Sequence, residues 1–416
     1  MDPRNAQRLH GAQNLALAGL LLTLALLPFR AYYEVGLLMC WCSAGWALSA
    51  GQRPFARPGF RLFLIGLAAY LLAAVWSLPD AYDRSGSTRT ALAGLRYLGY
   101  GWAACLLTPA HVHRLLVGCG WIVGLWVIDA LVQAIFGYSL GGANRTDRVS
   151  GIFGDADLKL GPVLGVVAAL LLAVLSRARL AWQVLGLLLI VAAVLVAGAR
   201  AGWVSLGIVV FWWLLRQIRA TGRRLWPALT LTAVGSLSLA GVLYVSDAQF
   251  AGRMDRTLLL VQGERRAVDT ALAFRLPIWE TAIRMGREHP VNGVGVRGFR
   301  QAYPGYAAQD DRWVRLHAGK SGANHPHQLL LELWSETGIP GLLLWSIAAA
   351  LLIRAWRHAA AVQRKQAWGP GAALLAMCFP LNTHLAFYSS FWGTLLFWLL
   401  ALYCVSLQQD QGAQRP

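Results

Sequence analysis

Charge is scarce in this chain. Only 13% of its 416 residues are Asp, Glu, Lys or Arg, against 57% that are hydrophobic. A soluble domain needs more polar surface than this, so the balance excludes an ordinary globular fold for most of the chain. Acidic residues are scarcer still, 19 against 37 Lys and Arg. The apolar runs hold almost no ionisable groups, with Arg96 and Lys159 as the exceptions singled out. Transporters place such groups near the bilayer midplane on broken helices in paired halves, which argues against transport. No linker, low-complexity segment or internal repeat separates two halves. The six cysteines all fall in apolar runs, and Cys40 and Cys42 have no His or Cys cluster beside them. That excludes a disulfide framework and a zinc site, and the cysteines read as small core residues. A soluble basic domain is also missing. The formal net charge of +18 therefore points to an anionic membrane leaflet rather than to nucleic acid.

What is present is a series of long apolar runs, the mark of transmembrane helices. Twelve are expected, near 13–29, 35–50, 60–78, 89–107, 114–136, 159–176, 181–198, 202–216, 225–246, 328–353, 368–384 and 388–407. The first follows Arg4 and Arg8 and is read as an uncleaved span, because no polar mature domain comes after it. With the N-terminus in the cytoplasm, the inner connectors hold Arg53, Arg57, Arg114, Arg177 and Arg179. They also hold the clusters Arg216, Arg219, Arg223, Arg224 and Arg354, Arg357, Arg364, Lys365. The outer loops hold fewer: Arg30, Arg84, Arg89, Arg145, Arg148 and Arg200. This asymmetry predicts both termini inside. The expected fold is an all-α polytopic membrane protein of about twelve transmembrane helices with one large helical periplasmic loop. Residues 1–246 would carry spans one to nine, 247–328 the loop, and 329–416 the last three spans and a cytoplasmic tail.

The loop over 247–328 is the place to look for function, since connections of this length usually carry it. It holds eleven Arg, one Lys, four His and eight acidic residues, a basic balance that suits an anionic ligand. Ile278, Trp279, Ala282 and Ile283 recur at helical spacing after Pro277, so a helix is expected from Leu276 to before Pro290, amphipathic and lying on the membrane surface. Arg275 just precedes it, where a guanidinium beside free helix N–H groups can hold an oxyanion. Asn292 to Gly298 is turn-rich. Arg200 sits in a tight Gly-Ala-Arg-Ala-Gly turn between two apolar spans, where a charge is costly unless paired or solvated. In Asn324-His-Pro-His-Gln328, Asn324 reads as a helix N-cap with Pro326 in the first turn. His327 would then stand at the mouth of the tenth span, where the helix dipole favours a neutral imidazole fit to act as a base. His325 is its nearest rival, and His384 a more distant one. Three polar groups from separate positions thus map to one membrane face: two arginines for a phosphate-bearing leaving group and a histidine to activate a hydroxyl.

Specific stretches carry a family resemblance. Arg275-Leu-Pro-Ile-Trp279, His289-Pro-Val-Asn-Gly-Val-Gly295, and His327-Gln328 followed after nine residues by Gly338-x-x-Gly341 resemble the O-antigen ligase family. That family shares a superfamily domain with O-antigen polymerases and protein O-oligosaccharyltransferases. The resemblance implies an inverting membrane glycosyltransferase of the GT-C type in the bacterial inner membrane, with its active site in the periplasm. It implies a donor O-antigen polysaccharide on undecaprenyl pyrophosphate and a lipid A–core oligosaccharide as acceptor. His327 matches the motif histidine, implied as base, and Arg275 and Arg200 match arginines implied on the pyrophosphate. Gln328 stands where Asn is commoner. His325, Asn324, Arg297, Arg84 and Arg89 are further candidates for substrate binding. No cofactor and no metal are expected. Asp155-Ala-Asp157 has the Asp-x-Asp spacing of metal-dependent glycosyltransferases, but two carboxylates alone are a weak cation site. An O-antigen polymerase or a protein O-oligosaccharyltransferase of the same superfamily, and in another class a twelve-span transporter, remain the alternatives.

Overall fold

The computed structural model describes residues 2–143, 148–154, 158–221, 226–380, 382 and 385–408, with the side chains of 219–229 outside that description. Arg145, Asp155, Asp157 and His384, and the side chains of Arg219, Arg223 and Arg224, therefore lie outside the described residues. Helices α1 (Pro3–Ala25), α2 (Tyr33–Ser49), α3 (Pro58–Trp76), α4 (Arg84–Gly94), α5 (Leu98–Leu106) and α6 (Pro109–Phe136) lead to a two-stranded hairpin of β1 (Tyr138–Ser139) and β2 (Gly142–Ala143). Next come α7 (Leu160–Leu175), α8 (Leu180–Val196), α9 (Arg200–Thr221) and α10 (Trp226–Ser246). The long loop carries α11 (Ala248–Leu258), α12 (Arg265–Ala271), α13 (Leu276–Glu288), α14 (Phe299–Tyr306) and α15 (Arg312–Leu316). Finally α16 (Leu329–His358), α17 (Ala361–Cys378) and α18 (Ser390–Ser406) return through the bundle.

Every expected apolar run contains helix. The run at 89–107 is split into α4, a 3₁₀ turn over Leu95–Tyr97, and α5. By length and composition, α3, α6, the Arg200–Ile218 part of α9, and α16 can each cross a membrane. A bent pair around Asp247, turning by 113°, passes the same test as a unit, and α7, α8 and α18 are shorter apolar helices. Large apolar side chains stand exposed around the bundle, among them Trp121, Ile135, Phe136 and Leu237. A water-soluble monomer does not present that much apolar surface, whereas lipid accepts it at no cost. The cysteines are free thiols as expected, but Cys42 is exposed on this outer surface rather than in the core.

Close helix crossings use small residues, as lipid-embedded packing requires. A Cβ on Gly202 would stand 2.4 Å from the Gly161 carbonyl oxygen, so α9 meets α7 backbone to backbone at its first turn. That contact fixes where Arg200 emerges. Among the charged connectors, Arg177 reaches His113 at 3.0 Å and Arg216 lies over the Trp368 ring.

The long loop has a small core of its own, made of Ile278, Ala282, Met285, Val294, Phe299, Ala302, Tyr303 and Ala323. Helix α13 starts and stops where the sequence predicts. Its apolar face, however, is spent inside this core rather than laid on a membrane surface, because Phe299 and Tyr303 of α14 offer it a better-packed partner. The turn from Asn292 to Gly298 is tied into α16. Val294 and Gly295 donate to the carbonyls of Ser335 and Glu336 at 2.8 and 3.1 Å, and Ile339 N donates to the Pro290 carbonyl at 2.8 Å. This exchange is possible because α16 breaks at Gly338, whose φ of 65° and ψ of −162° belong to a region open essentially to glycine alone.

Candidate functional site

Arg200 is the first residue of α9, and its Nη1 donates to the carbonyl of Ala271 at the end of α12. That bond ties it to the loop. Arg275 is the N-cap of α13 and is largely withdrawn from water. Burial, and then the like charges of Arg200 and Arg148, push its guanidinium down to about 10 from the ordinary arginine range. Arg200 in turn lies in the field of Arg256 and Arg148. Arg253, 5% exposed, packs over Gly198 in the same turn. The structure thus brings Arg200 and Arg275 together and adds Arg148 and Arg256, which the sequence reading did not single out. Like charges gathered in a half-buried place repel one another and favour a bound anion.

An anion placed beside Arg275 would meet side chains more than helix amides. Leu276 N already donates to Asp269 Oδ1 at 3.0 Å, and Pro277 has no N–H. Two of the first three positions of α13 are therefore closed to a ligand, which corrects the expectation of free helix N–H groups beside Arg275.

The histidine segment also differs from expectation in one respect. Asn324 is not the N-cap and Pro326 is not in the helix. Helix α16 begins at Leu329, capped by Gln328, whose side chain accepts from Leu331 N. The longer amide side chain reaches the first-turn N–H from the adjacent position, leaving Asn324 to His327 as an ordered approach to the helix. His327 stands just outside the cap with φ of 56°, and its ring centroid is 3.9 Å from that of His325. Trp279 Nε1 donates to the Pro326 carbonyl at 3.0 Å. Trp279 is one turn beyond Arg275, so this bond sets the histidine pair beside the arginine-bearing end of α13.

Six non-glycine residues among those described have positive φ, and four of them bracket this site: Ala273, Phe274, Arg297 and His327. Such a conformation costs roughly 1–2 kcal/mol per residue and collects at functional places. Arg297 is held there by Glu336, whose Oε2 accepts from Arg297 N at 2.9 Å. Glu332, one turn earlier, accepts from the backbone N–H groups of Phe387 and Tyr388 at 2.9 and 3.3 Å. Both carboxylates are buried, at 0% and 1% exposure. They fasten the start of α16 to the turn before α14 and to the segment before α18. The sequence reading missed them, although two acidic residues four apart in an apolar helix are themselves a signal.

The lower-ranked candidates meet as well. Arg89, Arg297 and Asn324 line one pocket of 280 Å³ with Asp83, Gly86, Thr90, Arg300 and Gln301. Arg84 does not; it lies exposed on the first turn of α4. Of the ionisable residues within the apolar runs, Arg96 pairs with Glu34 at 2.9 Å and Lys159 lies over the Phe391 ring. Asp129, which the sequence reading passed over, accepts from Leu140 N at 2.8 Å. Among the described residues no three His, Cys, Asp or Glu side chains form a cluster fit for a metal ion.

The fold and the site define a helical membrane protein with a basic, histidine-bearing centre on one side of its bundle. Residues 185–346 match the family described as O-antigen ligase. The match supports a place in the ligase and polymerase superfamily, whose members are membrane glycosyltransferase-like enzymes. The matched stretch runs from α8 into α16 and includes Arg200, Arg275, Arg297, Asn324, His325 and His327, with Arg84 and Arg89 outside it. No curated protein matches the chain.

Proposed function

We propose that this protein transfers O-antigen polysaccharide from undecaprenyl pyrophosphate onto a sugar hydroxyl of the lipid A–core oligosaccharide, at the periplasmic face of the bacterial inner membrane. The observation that carries the reading is the convergence of Arg200 and Arg275 beside the segment bearing His327. A departing pyrophosphate needs fixed cations where its charge develops, and guanidiniums offer planar paired donors for it. In this reading the chain makes twelve spans with both termini cytoplasmic, and residues 247–328 form the periplasmic loop.

His327 takes the proton of the acceptor hydroxyl. The acceptor oxygen then attacks the donor's anomeric carbon in line. The bond from that carbon to the pyrophosphate oxygen breaks, and undecaprenyl pyrophosphate departs from the opposite face with the bonding electron pair, so configuration inverts. Arg200 and Arg275 offset the charge on the leaving group. The step as drawn runs without a metal ion.

The test is transfer by purified protein of an undecaprenyl-pyrophosphate-linked glycan onto lipid A–core in excess EDTA. Glycan-bearing core is the expected product. A protein that lengthens the lipid-linked glycan and leaves the core unmodified is a polymerase, and that outcome overturns the ligase reading.

A further inference from the structure

The pocket of 280 Å³ between α4 and the loop contains none of Arg148, Arg200 or Arg275. It is a second arginine group. Asn324 lines it, while Pro326, two residues later, is bonded to Trp279 near the Arg275 end of α13. The segment that carries His325 and His327 therefore touches both. Three arginines, Arg89, Arg297 and Arg300, line the pocket. The only carboxylate in the lining is Asp83, and its Oδ1 is engaged at 2.9 Å in capping α4 through Gly86 N. With three arginines against one carboxylate in its lining, the pocket is net positive. Its neutral groups matter equally. Thr90, Gln301 and Asn324 add one hydroxyl and two amide groups to the lining. Cations for an anion and neutral polar groups for hydroxyls are together what a charged sugar requires. The volume falls below the roughly 300–1,000 Å³ of pockets for drug-sized ligands, so it suits one sugar residue rather than a chain. Arg297 is held in its left-handed conformation by Glu336, and Ser87 Oγ donates to the Val296 carbonyl at 2.8 Å, so the two walls are fixed to each other.

We infer that this pocket binds a phosphate- or carboxylate-bearing saccharide and sets it beside His327 for transfer. The inference rests on the proposed transferase reading for its purpose, but the binding itself does not. Two sources share the chemistry: a charged sugar of the acceptor core, or an acidic sugar at the donor's reducing end.

Binding of lipid A–core to the full-length purified protein is measured directly, without donor, using the phosphorylated core and the same core after enzymatic dephosphorylation. The variant is Arg89→Gln/Arg300→Gln. These two side chains are exposed, and neither makes a hydrogen bond that fixes the fold. Wild type is expected to bind phosphorylated core about tenfold more tightly than dephosphorylated core, and the double variant is expected to lose that preference. In transfer assays the variant should raise KM for the acceptor and leave kcat within about twofold. A donor KM that rises instead, only with a glycan carrying an acidic first sugar, assigns the pocket to the donor and also supports the inference. Equal affinity of wild type for both cores and for acidic and neutral donors overturns it. So does a variant defect that is the same with and without the anionic group. If transfer onto core fails while the phosphate preference in binding remains, the ligase reading falls and this inference stands.

Discussion

Trp279 Nε1 donates to the carbonyl of Pro326 at 3.0 Å, and this bond joins the helix that begins at Arg275 to the segment that carries His327. Arginine and histidine come from positions about fifty residues apart, so their spacing rests on such contacts. Trp279→Phe keeps the ring and removes the donor. The loss of about 1 kcal/mol of positioning energy should lower kcat about fivefold with little change in KM for either substrate. A steady-state comparison checks this, and an unchanged kcat would show that the bond does not position the base.

His327→Ala should lower transfer by roughly 10²–10⁴-fold at equal expression, the contribution expected of a positioned base. His325→Ala should cost less, because in the proposed step it touches His327 and not the acceptor hydroxyl. Lipopolysaccharide profiles and in vitro transfer separate the two. If His325→Ala is the more severe, the roles are exchanged.

Arg275 yields a prediction about stability. Burial and the neighbouring Arg200 and Arg148 hold its guanidinium down at about 10. A cation whose folded-state pKa lies below its ordinary value weakens the fold at every pH where it stays charged, here through neutral pH and up to about 10. Arg275→Gln should therefore raise the thermal midpoint of the ligand-free protein at pH 7.5 while transfer falls about 10²–10³-fold. Inorganic pyrophosphate should raise the midpoint of the wild type, as any ligand of the folded state does. It should do so much less for the variant. Equal stabilisation of both proteins would remove Arg275 from the anion site.

Gly338→Ala tests the break in α16. A Cβ there would stand 2.5 Å from the Pro290 carbonyl oxygen, on a backbone conformation that L-residues avoid. The cost should be about 1–3 kcal/mol, read as a lower thermal midpoint and reduced yield from membranes. Ala at Gly124, where the nearest atom would be a Leu171 methyl at 3.8 Å, should be tolerated and serves as the control.

The sequence by itself determined the helices and singled out the candidate residues. Apolar runs of membrane length dictate helix because lipid offers no other partner for backbone N–H and C=O groups. Arg200, Arg275 and His327 stood out because charge and imidazole at the ends of such runs are costly without a role. Local spacing also placed α13 correctly, since Pro277 and the apolar period act within one or two turns. Only the tertiary structure decided what meets what. The recruitment of Arg148 and Arg256 to the Arg200–Arg275 centre depends on backbone contact at Gly161 and Gly202 and on a bond from Arg200 to Ala271. The pocket formed by Arg89, Arg297 and Arg300 joins positions more than two hundred residues apart. The capping of α16 by Gln328 rather than Asn324 turned on a single side-chain hydrogen bond. Periodicity and loop charge carry one-dimensional information, and they set which elements form and which residues are costly. The distances between those residues are fixed by packing across the chain, which no local pattern encodes.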